Sequence, residues 1–292
     1  MPLSSPLILS CLFSFFLILL LSFLWIIYKP PLWLITHLQH RWPDVLFHVP
    51  PKPNKNQTQK QILIALTIDD GPSENTPEIQ ALLNTHGAKA TFFLIGCHIP
   101  AHKETLRQLV VNGHELANHA MHDEPSYSLS LAELTRQIQS VERQLEQVYQ
   151  ATAVTTAVTT STASTASSSV QPNHPSSIQI RTTPTPTRPY QHSKPPKYFR
   201  PGSGFFNTSM RKLTADLHNR IVLGSIYPHD AQISSWRLNA WHILSMARAG
   251  GIIVCHDRPW TAPMLRAVLP ELKRRGYRVV TVTELLNGYL DT

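Results

Sequence analysis

The sequence predicts an α/β protein, a mostly parallel sheet or a (β/α) barrel, carried behind an N-terminal membrane helix. Three observations predict it. From Gln61 onward, short apolar runs of strand length alternate with amphipathic helical text. The stretch Leu7 to Tyr28 carries no charge over about the 20 residues that a bilayer-spanning helix needs. A hydrophobic content of 42% with six Trp in 292 residues argues that much of the chain buries a core.

The uncharged run LILSCLFSFFLILLLSFLWIIY exceeds the roughly 7 to 15 apolar residues of a cleaved signal and does not end in small residues. Residues 1–29 are therefore expected to stay as a single-pass anchor. Lys29 and Arg41 follow the span and no Lys or Arg precedes it, which by the positive-inside bias favours a cytosolic domain. The sequons Asn56-Gln57-Thr58 and Asn207-Thr208-Ser209 suit a lumenal or extracellular one, the placement expected here. Residues 30–60, rich in proline with interspersed aromatics, are expected to form a stem.

From there the elements follow in order. ILIALTI (62–68) is a buried strand, and Thr76-Pro77-Glu78 opens a helix that ends near Gly87. ATFFLIG (90–96) is a second strand, AHKETLRQLVVN a helix stopping at Gly113, and HELAN a third strand. Ser130 with Glu133 forms a capping box for a helix whose apolar face is Leu134, Ile138, Val141, Leu145 and Val148. At Ala151 the text turns to Ala, Thr, Ser and Val and then to Pro-rich sequence. No acidic residue occurs between Glu146 and Asp216. Such text buries too little apolar surface to offset its ordering entropy, so a disordered insertion is expected at 150–196. It interrupts one domain over 61–288, because KYFR, IVLGSIY, GGIIVCHD and YRVVTV resume the same alternation.

Lys and Arg outnumber Asp and Glu by 26 to 18, a net charge of +8, but the basic residues are scattered, so nucleic acid is not expected as a partner. Cys11, Cys97 and Cys255 lack a CxxC spacing, which argues against a zinc knuckle or a disulfide framework. Cys97 and Cys255 are expected as small buried residues at strand ends.

In folds of this kind reactive groups collect where strands end and loops face a common mouth. Asp69 and Asp70 follow the first strand, His119 the third, and Arg200 ends KYFR. His229 and Asp230 follow GSIYP, and His256 and Asp257 end IIVC. Any one of these is ordinary as a cap or turn residue; five polar sets at successive strand ends point to a site. The segments LTIDDGPS, GHELANHAMHD, FRPGSG and GGIIVCHD, in this order, resemble the polysaccharide deacetylase family and its NodB homology domain.

The resemblance implies a distorted (β/α) barrel that removes acetyl groups, N-acetyl foremost, from a polysaccharide such as chitin or a related cell-wall glycan. It implies a divalent metal, Zn or else Mn, Mg or Co. Its residue roles make Asp70 and His119 metal ligands, Asp69 the base that takes a proton from water, His256 the general acid and Arg200 the partner of Asp69. The Ser203 amide would face the oxyanion, and Asp230, with Trp236 nearby in sequence, would support the acid. Two departures stand out. The third motif reads Arg200-Pro201-Gly202-Ser203-Gly204 where relatives carry Arg-Pro-Pro-Tyr-Gly, which predicts a smaller, looser wall. In the second motif the family's second histidine falls on Asp123, with His122 one residue away. Asp123 is the expected third ligand and His122 the alternative, since on a helical turn both i+3 and i+4 lie beside residue i. The altered motifs also admit a weakened carbohydrate-binding module, and the Thr/Ser tract a membrane-anchored stalk protein.

Overall fold

The computed structural model describes residues 5–51, 62–165 and 194–290. Its centre is strand β2 (Ile62–Gly71), which pairs in parallel with β3 (Thr91–Leu94), β7 (Ile252–His256) and β8 (Tyr277–Val280). Beyond β3 lie β4 (Glu115–Asn118), β5 (Tyr198–Phe199), β6 (Arg220–Val222) and β1 (Val45–Leu46), giving the order β1-β6-β5-β4-β3-β2-β7 with β8 beside β2. Every pairing is parallel, so the connecting helices must cross over and cover the sheet. The edges curl toward each other. Ile226, just past β6, bridges Ile253, and Val49, just past β1, donates its N–H to the Gly250 carbonyl at 3.0 Å. A Cβ on Gly250 would stand 1.8 Å from the Val49 carbonyl oxygen, and its φ of +74° also suits only glycine, so this closure depends on the missing side chain. The result is the expected distorted (β/α) barrel.

Strand parity separates two cores. Ile64, Leu66, Ile68, Phe92, Leu116, Ile253 and Cys255 pack outward against α3 (Thr76–Thr85), α4 (Lys103–Val111), α5 (Leu131–Thr165), α7 (Trp236–Met246) and α8 (Thr261–Arg274). The alternate set Leu63, Ala65, Phe93, Ala117, Val222, Ile252 and Val280 packs inward. Helix α9 (Val282–Leu290) closes the base, where the Leu63 amide donates to the Tyr289 hydroxyl at 2.7 Å.

Several boundaries differ from the sequence reading. The stretch expected as a stem contains α2 (Leu32–Arg41) and β1, and Ile35, Val45 and Phe47 are buried with Phe199, Met210 and Ile221. A two-residue strand has no period to read, which is why its proline-rich surroundings hid it. Leu134, Ile138, Val141, Leu145 and Val148 are all buried as expected, but α5 runs on to Thr165, through the start of the expected insertion. Most of the rest of that insertion (166–193), part of the stem (52–60) and the first sequon lie outside the described residues. Half of the capping box forms: the Glu133 amide donates to Ser130 Oγ at 3.2 Å, while the Glu133 carboxylate pairs with Arg136. Asn207 of the second sequon caps α6 (Thr208–Asp216), its side-chain oxygen accepting from the Met210 amide at 2.9 Å. Cys255 is buried in β7, whereas Cys97 is exposed in the 3-10 turn Gly96–His102.

Helix α1 (Ser5–Tyr28) includes one stretch, Leu9–Tyr28, long and apolar enough to cross a membrane, with a mean hydropathy of 2.6; a signal sequence meets the same criterion. Its last turn meets the barrel. The Tyr28 ring stacks on His229 with centroids 5.1 Å apart, and Lys29 Nζ donates to Ser245 Oγ at 2.7 Å.

Candidate active site

The inward parity of β2 that carries Leu63, Ala65 and Thr67 also carries Asp69 to the mouth of the barrel, and β7 brings His256 there by the same alternation from Ile252 and Val254. Asp70 would by parity face outward. It does not, because the register of β2 against β3 slips between Asp69 and Gly71, and Asp70 takes the left-handed φ of 67°. This bulge lets two adjacent carboxylates line one cavity of about 630 Å³, together with His119, Asp123, Arg200, Ser203 and His256.

Asp69 is held by Arg200, which crosses the barrel interior. Arg200 Nη1 bonds the Asp69 carboxylate and donates to Thr67 Oγ1 at 2.8 Å, and Nε donates to the Val222 carbonyl at 2.9 Å. The guanidinium lies over the Phe93 ring at 4.0 Å, and both members of the pair are almost fully buried. His256 Nδ1 donates to Asp230 Oδ1 and the His256 amide donates to Asp230 Oδ2, each at 2.8 Å. That fixes the ring and leaves Nε2 for the cavity. Burial alone would lower the His256 pKa, but the hydrogen bond and charge of Asp230, with Asp69 and Asp70 beyond, raise it.

Asp70 Oδ1 lies 3.3 Å from His119 Nε2, and Oδ2 accepts from Arg258 Nη2 at 2.7 Å. Burial works against its ionisation, yet His119, His256 and Arg258 together hold its carboxyl well below the usual range. His119 Nδ1 donates to the Arg200 carbonyl at 2.7 Å, an outer contact that fixes the tautomer and turns Nε2 toward Asp70. This is the donor chemistry a divalent ion needs, an ionised carboxylate beside an oriented imidazole. Asp123 is exposed at the cavity wall, and among the described residues no three His, Cys, Asp or Glu side chains converge closely enough to hold an ion as they stand.

The loop after β4 is not a helical turn, so the i+3 and i+4 argument does not apply to it: Ala120 has φ of 66° and residues 119–124 run as coil and bends. Asp123 lines the cavity; His122 is exposed and lies in the field of Glu133 on α5. The loop is braced by α5, where Gln137 Oε1 accepts from the Met121 amide at 3.0 Å and Gln137 Nε2 donates to Glu124 at 2.9 Å.

Ser203 lines the cavity with φ of 65°. The glycine before it is required by a close approach: a Cβ on Gly202 would sit 2.1 Å from the Glu124 carbonyl oxygen, and its amide donates to Ser126 Oγ at 2.8 Å. The altered third motif therefore interlocks with the altered second. Nor is the wall without an aromatic, since exposed Phe205 lines the cavity and meets Tyr127 edge-on at 6.0 Å.

Trp236 does not support Asp230. It begins α7 against the outer core, and Trp260 instead donates its indole N–H to the Asp230 carbonyl at 3.0 Å. Tyr227, Arg258 and Trp260 went unread in the sequence. The only signal available was their closeness to Asp230 and His256. Tyr227 meets His256 edge-on at 5.7 Å, and burial pushes its phenol up to about 12. His98 is half-buried, and its Nδ1 lies 3.2 Å from the Asp70 carbonyl oxygen. Asp257 points away from the cavity, accepting from Ser73 and Thr76 at 2.9 and 2.5 Å.

The mouth of the barrel thus gathers a carboxylate–arginine pair, a carboxylate–imidazole pair and an aspartate-held histidine, the kinds of group that acid–base hydrolysis uses. Residues 56–174 match the polysaccharide deacetylase family model. A peptidoglycan-N-acetylglucosamine deacetylase of Bacillus cereus is 28% identical over 231 residues, which cover 77% of this chain and 88% of that one. Among solved structures, the peptidoglycan deacetylase PdaC of Bacillus subtilis superposes with a TM-score of 0.61 at 22% identity, over 79% of this chain and 93% of that one. A CE4 family pseudoenzyme of Bacillus anthracis gives 0.61 at 21%, over 84% and 69%. Over those residues the chain is similar to the polysaccharide deacetylase family, in keeping with the fold and with the order of its motifs.

Proposed function

We propose that this protein hydrolyses acetyl groups, N-acetyl first, from an amino-sugar polysaccharide of the cell wall, acting from the lumenal or extracellular side of a membrane to which α1 anchors it. The observation that carries the reading is the simultaneous placement of Asp69, bound to Arg200, and His256, bound to Asp230, on one cavity. Base and acid chemistry need two groups with different partners, and these pairings provide that: Arg200 holds Asp69 in place by a buried ion pair, and Asp230 favours the His256 imidazolium.

Asp70, His119 and, from the loop, Asp123 are the residues that would hold a divalent ion. Such an ion supplies Lewis acidity to the acetyl carbonyl and a lowered pKa to the attacking water. Asp69 takes the proton of that water as its oxygen bonds to the carbonyl carbon. The carbon–nitrogen bond then breaks as His256 Nε2 gives its proton to the departing sugar amine, leaving acetate and a free amine. Ser203 stands on the wall where the carbonyl oxygen would gather charge. Exposed Phe205 and Tyr127 form an apolar rim against which a sugar face can lie.

Mass spectrometry of peptidoglycan fragments and acetylated chito-oligomers after incubation with the full chain and Zn²⁺ tests this reading. Products that lose acetyl groups and gain free amines support it. Loss of acetyl from hydroxyls alone would replace the amide reading with an esterase, and unchanged glycans that nonetheless bind would favour a binding module.

A further inference from the structure

On the reading above, Asp70 is where a divalent ion attaches, and both of its oxygens are already engaged. Oδ1 faces His119 Nε2, and Oδ2 takes a charge-assisted hydrogen bond from Arg258 Nη2 at 2.7 Å. Arg258 is held for this contact. It stands two residues beyond His256 in the short connection from β7 to α8, its amide donating to Thr261 Oγ1 and its Nη1 to the Asp257 carbonyl, each at 3.3 Å. The side chain also has somewhere to go, since it is 30% exposed and lines the open cavity.

A guanidinium in this position opposes a second cation in two ways. The incoming ion must break the hydrogen bond to Oδ2, and until the arginine withdraws, the two positive charges repel at short range in a partly desolvated site. We propose that Arg258 is a resident counter-cation of Asp70 that competes with the divalent ion, so that the metal affinity of this site is set by an internal arginine. The inference rests on Asp70 and His119 being metal ligands, and its test separates the two ideas.

Zn²⁺ is titrated calorimetrically into the full chain in detergent micelles for wild type, Arg258→Gln, Arg258→Lys and Asp70→Asn. Competition predicts that Arg258→Gln binds about 10- to 100-fold more tightly than wild type, the scale on which groups around metal ligands tune affinity. Arg258→Lys, which keeps a charge but loses the planar fork, falls between them, and Asp70→Asn loses binding. The zinc-induced rise in thermal midpoint gives the same order independently. Equal or weaker affinity in Arg258→Gln overturns the competition while leaving Asp70 as a ligand. Zinc binding that survives in Asp70→Asn overturns both. Should Arg258→Gln fail to fold, Arg258→Lys decides alone, and an affinity equal to wild type there refutes the proposal.

Discussion

Asp69 and Asp70 are neighbours in the chain with different partners, and that difference divides their work. Arg200 pairs with one in the barrel interior; His119 and Arg258 hold the other at the cavity. His256 is the group whose titration should be visible. A general acid works only while protonated, so activity falls as pH rises through its pKa. Asp230 raises that pKa, and its charge is what Asp230→Asn removes. The alkaline limb of the kcat/KM profile should therefore move to lower pH in Asp230→Asn, and an unmoved limb would mean another group is the acid. Metal content distinguishes the two candidates of the second motif: Asp123→Ala should lose bound metal and His122→Ala should keep it, because only Asp123 lines the cavity. Asp69, Asp70, His119, Arg200 and His256 were legible in the sequence since each ends a strand. Tyr227, Arg258 and Trp260 were not, because their places depend on how the loops after β6 and β7 fold over one another.

At the scale of elements, the bulge in β2 and the interlock of two loops shape the mouth. Gly202 packs against the Glu124 carbonyl, in the loop that carries Asp123. Gly202→Ala should cost about 1–3 kcal/mol, the usual range for overpacking, read as a lowered thermal midpoint, and should also weaken metal binding through the displaced loop. Arg200 ties β5 to β2 and β6, so Arg200→Met should cost about 3–5 kcal/mol by leaving Asp69 buried without its partner. A melt unchanged from wild type would mean that the pair is not a structural tie. Long apolar elements such as β2 and α5 were readable from their periodicity. Short ones such as β1 were not, since two residues buried by tertiary pairing leave no pattern.

For the whole molecule, burial of neutral histidines sets an acid limit. Burial pushes His114 down to about 3 and His48 and His242 down to about 4. Their folded pKa values lie below the unfolded ones, so the unfolded chain binds more protons, and stability is lost as pH falls from about 6.5 toward 4. His114 Nδ1 accepts the Ala90 amide hydrogen, a bond that protonation would end. Thermal midpoints should drop across this window and drop less in His114→Gln. The contact of Tyr28 and Lys29 with His229 and Ser245 makes the end of α1 part of the catalytic barrel's surface. The most direct measurement is acetate released from N-acetylated peptidoglycan strands and chito-oligomers by the full chain with Zn²⁺, beside Asp69→Asn. The proposed deacetylase should release acetate, with a loss of about 10²- to 10⁴-fold in the variant. No acetate from either glycan, or equal release by Asp69→Asn, would contradict it.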